Sequence, residues 1–142
     1  MTTTTTTTTT NVRFQDASRQ AKLSGILDWW EFNNVNWRKK LDVRTFSLPS
    51  GFSCPFASDC LSKADRVTGR ITDGKSMEYR CFAATMEARL PSVRNSRWGN
   101  FDALRKLKAV DAMVAALLDA LPVKADVVRI HVGGDFFSRD YM

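Results

Sequence analysis

The chain has 142 residues, with 21 Lys plus Arg against 15 Asp plus Glu, so its formal net charge is +6. This length predicts a single domain, and a composition of 44% hydrophobic and 25% charged residues excludes the collagen, coiled-coil and disulfide-dense classes. The sequence has no run of about 18 apolar residues and no charged start followed by an apolar stretch, so neither a transmembrane span nor a secretory signal is predicted. We expect a cytoplasmic protein without a membrane partner.

Three segments differ in composition. Residues 1–10 are Met followed by an unbroken threonine run, which has no apolar face to bury and is predicted to be a disordered tail. Residues 11–42 form an aromatic-rich segment whose spacing fits neither a helix nor a strand. Residues 43–142 alternate strand and helix patterns and are predicted to form an α/β domain.

Two strands are predicted in residues 43–142. Val43 to Leu48 alternates as a short strand does, and residues 127–132 place Val128, Ile130 and Val132 on one apolar face. Two strands joined through helices are most simply parallel, with a right-handed crossover. The fold class is therefore α/β, the start of a parallel (β/α) barrel-like or open sheet that is incomplete in this chain.

The residues between the strands predict a loop and two helices. Residues 52–79 have the composition of a long loop, and residues 81–90 favour a helix that Pro91 ends. Asn100 is expected to cap a second helix, whose apolar residues recur at three- and four-residue steps as far as Leu121. A third helix is expected to begin shortly after Asp135.

The three cysteines all fall between the first strand and the helix that follows it. Three thiolates from Cys54, Cys60 and Cys81 would hold an iron-sulfur cluster with one iron uncovered, or zinc with a fourth position open to His131. A free cysteine is also a small buried hydrophobe, and a strand histidine is often simply hydrogen-bonded, so both structural alternatives stay open.

A glycine pair and an acid follow the second strand. Gly133, Gly134 and Asp135 lie at the carboxyl end of that strand, which is where α/β folds place their ligands. Glycines let the backbone approach a ligand and reach positive φ, and the carboxylate accepts hydrogen bonds from it. This pattern predicts a cofactor-binding turn, and an ordinary strand-to-helix turn is the alternative.

A basic segment with aromatic residues lies between residues 89 and 108. Basic side chains beside an aromatic ring are suited to gripping a phosphate backbone and stacking a base. The chain is then a non-enzymatic nucleic-acid-binding protein, although a solvated basic surface is the commoner explanation. The residues predicted for nucleic acid are Arg94, Arg97, Trp98, Arg105 and Lys106.

Several local sequences, taken together, resemble a phage protein family, gene product 88. They include the ten residues from Phe46 to Pro55, the segment around Cys81, the Ser96-Arg-Trp98 motif, and residues 129–138. The resemblance spans about residues 43–142. Members of that family are longer, which implies that this chain is an N-terminal fragment or a shortened copy, located in the cytoplasm of a host cell.

A second, more distant similarity is to radical S-adenosylmethionine enzymes. In those enzymes three cysteines after the first strand hold a four-iron cluster, and Gly-Gly-Glu after the second strand meets the methionine amino group. The usual cysteine spacing there is C-x3-C-x2-C. The similarity implies a cluster on Cys54, Cys60 and Cys81 and S-adenosylmethionine on Gly133 to Asp135. The complete protein would be a radical-SAM-like enzyme, whereas this chain alone is expected to be inactive, with Phe136, Phe137 and Tyr141 lacking partners.

Overall fold

The computed structural model describes residues 11–17, 42–75 and 80–142. The predicted tail of residues 1–10 and most of the aromatic-rich segment lie outside these described residues. The elements in chain order are β1 (Gln15–Asp16), β2 (Val43–Phe46), β3 (Lys63–Ala64), β4 (Ile71–Thr72), α1 (Phe82–Arg89), α2 (Pro91–Lys106), α3 (Val110–Ala120) and β5 (Val127–Ile130).

The main sheet has the strand order β1-β2-β5. Strand β2 pairs antiparallel with β1 and parallel with β5, so that Val43 lies opposite Val127 and Phe46 opposite Ile130. The predicted parallel pair is confirmed, because the helices between β2 and β5 return the chain in the same direction. The sheet formed by the described residues is open, and the fold class is mixed α/β.

The predicted long loop contains a small hairpin. Strands β3 and β4 pair antiparallel between the second and third cysteines. The turn between the strands is held by the Asp65 carboxylate, which accepts hydrogen bonds from the backbone N–H groups of Val67 (3.1 Å) and Thr68 (2.7 Å). Two-residue strands are too short to show an alternating pattern, so no periodicity predicts them.

The helices differ from the prediction at Asn100. Helix α1 is confirmed, but Pro91 both ends it and begins α2, because proline is well suited to the first helical position. Asn100 therefore lies in the interior of α2 and is not a cap. The expected single helix to Leu121 is also wrong, since Leu107 and Ala109 are extended and separate α2 from α3.

An apolar core fills the space between β2 and the last two helices. Its members have at most 6% of their surface exposed and are Val12, Phe46, Leu48, Leu104, Met113 and Ala116. Strand β5 is less covered than its sequence predicts, because Val128 and Ile130 are 38% and 55% exposed. Within the described residues no helix is both long and apolar enough to cross a membrane.

The last ten residues are irregular apart from a turn at residues 139–141, and the helix expected after Asp135 is not formed. The expectation that Phe136, Phe137 and Tyr141 lack partners is wrong. Phe137 packs edge-on against Phe101 with ring centroids 5.2 Å apart and stacks on Tyr141 at 4.7 Å. Phe136 lies 4.7 Å from the His131 ring. These aromatic contacts fold the end of the chain back onto the sheet without a helix.

Candidate functional site

The candidate site lies where parallel strands β2 and β5 end, and we call this place the carboxyl edge. Residues 47–54 follow β2 there, and residues 131–135 follow β5. Two backbone bonds join these segments, from the N–H of Leu48 to the carbonyl of Gly133 (2.9 Å) and from the N–H of His131 to the carbonyl of Phe46 (2.8 Å). Because the strands run the same way, both following segments meet at one edge of the sheet.

The two glycines of the predicted cofactor turn pack closely against other residues of the chain. Gly134 has φ +78°, and a β-carbon there would lie 2.6 Å from the Leu48 carbonyl oxygen and even closer to the Ser53 hydroxyl. A β-carbon at Gly133 would lie 2.5 Å from Cζ of Arg97. Both positions therefore require glycine, one for conformation and close packing and the other for close packing alone. Binding of a cofactor by this turn stays a prediction.

One of the three cysteines, Cys54, lies near Asp135 at the carboxyl edge. The Cys54 sulfur accepts a hydrogen bond from the N–H of Gly51 at 3.4 Å. Burial raises the pKa of the Cys54 thiol above its ordinary value, and the nearby charges of Asp135 and Cys81 raise that pKa further. The Cys54 thiol is therefore within electrostatic range of both Asp135 and Cys81, which come from two other segments of the chain.

Cys60 is placed differently. It is partly buried and free, as are Cys54 and Cys81, and its N–H donates to the Ala57 carbonyl at 3.1 Å. The next residue, Leu61, has φ +48°, an uncommon backbone conformation for a leucine. In residues 11–17, 42–75 and 80–142 no three His, Cys, Asp or Glu side chains are grouped as ligands of one metal ion. The arrangement therefore does not fit a single zinc ion held by the three cysteines and His131.

A buried ion pair beneath the carboxyl edge was not predicted from the sequence. Glu87 of α1 is fully buried, and its Oε1 atom lies 2.6 Å from Nη1 of Arg97 in α2. The same oxygen accepts hydrogen bonds from the N–H (3.0 Å) and hydroxyl (2.7 Å) of Ser50. Arg97 also donates to the Ala83 carbonyl at 3.1 Å. In the sequence, Glu87 cannot be told apart from an ordinary exposed glutamate of a helix. Only its tertiary partners identify it as part of a buried ion pair.

The basic segment predicted to contact nucleic acid is largely internal. Arg94 and Arg97 are 6% and 5% exposed, and Trp98 is 7% exposed. The Arg94 guanidinium donates to the backbone carbonyls of residues 66, 67 and 87. Neither arginine is available to a phosphate backbone, and Trp98 is covered by Phe52 and Arg66. Of the residues predicted for nucleic acid, Arg105 and Lys106 are exposed, and Arg105 pairs with Asp102.

His131 follows β5 in a left-handed backbone conformation, with φ +59°. Its Nε2 atom lies 3.4 Å from the Tyr141 hydroxyl, and its buried Nδ1 atom has no hydrogen-bond partner in the described part of the chain. Burial lowers the pKa of His131, and the Asp135 carboxylate opposes that change. A strained, partly buried histidine thus borders the glycine turn, as often occurs at functional sites.

Comparison with known protein families shows which family the chain belongs to. The family model described as Gene product 88 matches residues 3–142. The chain belongs to the gene product 88 family. The match extends to the amino-terminal segments, beyond residues 43–142 that carry the sequence resemblance. No curated protein and no solved structure matches this gene product 88 chain. Family membership by itself assigns no activity, so the function is argued from the carboxyl edge.

Proposed function

We propose that the chain binds an iron-sulfur cluster at the carboxyl edge through Cys54, Cys60 and Cys81. The proposal is supported by the position of Cys54, a partly buried free thiol whose pKa is raised by burial and also by the charges of Asp135 and Cys81. The loop after β2, the start of α1 and the turn after β5 supply one group each. A thiol that served only as a small hydrophobe would not need a carboxylate near it, as Cys54 has in Asp135.

The size of the bound metal group determines whether the three cysteines can hold it. Ligands of one metal ion must converge on a single point, and the described residues contain no such set. A four-iron cluster is larger than one ion, so its thiolates lie further apart around it. Cys60 belongs to the same loop as Cys54 and is also partly buried. Thiolate sulfur is the ligand that iron-sulfur clusters use, which favours a cluster over a hard cation such as magnesium.

A second ligand is part of the proposal. By analogy with the Gly-Gly-Glu turn after the second strand of radical S-adenosylmethionine enzymes, Gly133, Gly134 and Asp135 are proposed to bind S-adenosylmethionine. When bound, a cluster supplies one-electron chemistry. The contribution of this chain is to hold the three thiols near the Asp135 carboxylate and to exclude water from Cys54, whose burial favours the protonated thiol in the metal-free protein.

Metal and sulfide analysis tests the proposal. The chain is purified without oxygen, and iron, acid-labile sulfide and zinc are measured for the wild type and for Cys54→Ser, Cys60→Ser and Cys81→Ser. We expect coloured protein that contains iron and sulfide, with both lost in each cysteine variant. Ser58→Ala is the matched control, because Ser58 is an exposed residue of the same loop. Its iron content should equal that of the wild type.

The opposite results are equally specific. Colourless wild-type protein without iron, before and after anaerobic reconstitution with iron and sulfide, would refute the cluster. Zinc in place of iron, lost in the cysteine variants and in His131→Asn, would instead establish the single-ion site with His131 as fourth ligand.

A further inference from the structure

We infer that Glu87 and Arg97 are positioning residues that fix the Cys54 loop relative to the Asp135 turn. This inference rests on the carboxyl edge being the functional site, as proposed above, but not on the identity of the cofactor. Neither residue contacts a cysteine in the described structure. Their role follows from what they hold on each side of the ion pair.

Glu87 holds the loop that leads to Cys54. Its Oε1 atom accepts hydrogen bonds from both the backbone N–H and the hydroxyl of Ser50, which is 1% exposed. The next residue, Gly51, donates its N–H to the Cys54 sulfur. The Glu87 carboxylate is therefore linked to the Cys54 thiol through Ser50 and Gly51. Removing the carboxylate would release the turn whose N–H group binds the sulfur.

Arg97 supports the turn that leads to Asp135. The guanidinium lies directly against Gly133, where a β-carbon would be 2.5 Å from Cζ and 2.8 Å from Nη2. The same turn is bonded to the Cys54 loop, since Asp135 donates its N–H to the Ser53 hydroxyl at 3.4 Å. The ion pair thus lies beneath both segments and links them through one oxygen of Glu87 and one nitrogen of Arg97.

The energetics favour positioning over stabilisation. A buried ion pair often adds no stability over a well-packed apolar pair, because removing two charges from water is costly. Here the cost is incompletely offset, since Oε2 of Glu87 and Nε of Arg97 are buried without hydrogen-bond partners among the described residues. What the ion pair does provide is a fixed orientation of the groups that it contacts. A planar guanidinium contacts the glycine, Glu87 and the Ala83 carbonyl simultaneously, which a lysine ammonium cannot reproduce.

The test compares two buried arginines of α2. Arg97→Lys and Glu87→Gln alter the pair. Arg94→Lys is the matched control, because Arg94 is equally buried but donates only to backbone carbonyls, among them that of Glu87, and not to the Glu87 carboxylate. In metal-free protein, well below each melting temperature, the iodoacetamide alkylation rate of Cys54 is measured by peptide mass spectrometry, with Cys60 as internal reference. We expect all three variants to have lower melting temperatures than the wild type. Only Arg97→Lys and Glu87→Gln should raise the relative Cys54 rate, by at least about threefold.

A milder variant covers the case in which those proteins do not fold. Ser50→Ala removes one hydrogen bond to Glu87 and leaves the ion pair intact, and it should raise the relative Cys54 rate in the same direction. An equal Cys54 rate in Arg97→Lys and Arg94→Lys, or no change in folded Ser50→Ala, would overturn the inference.

Iron content, measured after reconstitution of the same proteins, separates the two proposals. If the wild type takes up no iron, the cluster proposal fails while the alkylation rates still decide the positioning role. If the wild type binds iron but Arg97→Lys changes neither the Cys54 rate nor the iron content, only the positioning inference fails.

Discussion

Two parts of the buried interior are built from opposite kinds of side chain. Toward α3 the interior is apolar, with Phe46, Leu104 and Met113 at its centre. Toward α1 the interior is polar and contains Glu87 and Arg97. Apolar packing contributes free energy without strict direction, whereas buried polar groups are tolerated only in the geometry that satisfies them. The apolar part therefore stabilises the fold, and the polar part sets the arrangement of the carboxyl edge.

The largest expected effect comes from a cavity in the apolar part. Leu104 is fully buried in α2, and Leu104→Ala should lower the free energy of unfolding by about 2–5 kcal/mol. Chemical denaturation measures the loss, and Leu118→Ala is the control because Leu118 is 64% exposed on α3. The relative Cys54 alkylation rate should stay unchanged in folded Leu104→Ala. A changed rate would show that the two parts are not separable.

A smaller loss of stability is expected from a change at Asn100, a buried polar residue of α2. The Asn100 side chain accepts a hydrogen bond from the N–H of Arg13 at 2.7 Å and donates to the carbonyls of Arg13 (3.0 Å) and Ser47 (3.1 Å). Asn100→Ala should lower the free energy of unfolding by about 1–3 kcal/mol, because buried backbone groups lose their partners. Asn95→Ala, an exposed change on the same helix, should alter it by less than about 0.5 kcal/mol. Equal losses would contradict the assignment.

The smallest effect concerns His131, the single histidine of the chain. Because burial lowers its pKa in the folded protein, the unfolded chain binds its proton first as pH falls below about 6.5. Stability is then fully present above that pH and decreases toward the lower folded-state pKa, by at most about 1.4 kcal/mol per pH unit. Melting temperatures at about pH 7.5 and 5.5 measure this. His131→Asn should flatten the difference, and an unchanged pH dependence would rule His131 out as its source.

Sequence patterns were informative where structure is local. Alternation in residues 43–48 and 127–132 predicted β2 and β5, and their parallel pairing placed the cysteine loop and the glycine turn at one edge of the sheet. The ion pair was not predictable in this way, because Glu87 and Arg97 lie on different helices. Their meeting depends on the angle between α1 and α2 at Pro91, and apolar periodicity contains no information on that angle. The same applies to Asn100, whose two partner residues, Arg13 and Ser47, lie in distant segments.

The long separation between the halves of the carboxyl edge has a consequence for biosynthesis. Ser53 and Asp135 are 82 positions apart, and a ribosome adding about 5–20 residues per second needs roughly 4–16 s to cover that distance. Helices α1 and α2 are complete earlier and need only local contacts. During those seconds the thiol of Cys54 has neither the Asp135 carboxylate nor the glycine turn beside it. The nascent chain is therefore most open to thiol oxidation in this interval, before the Asp135 carboxylate is present to disfavour the Cys54 thiolate.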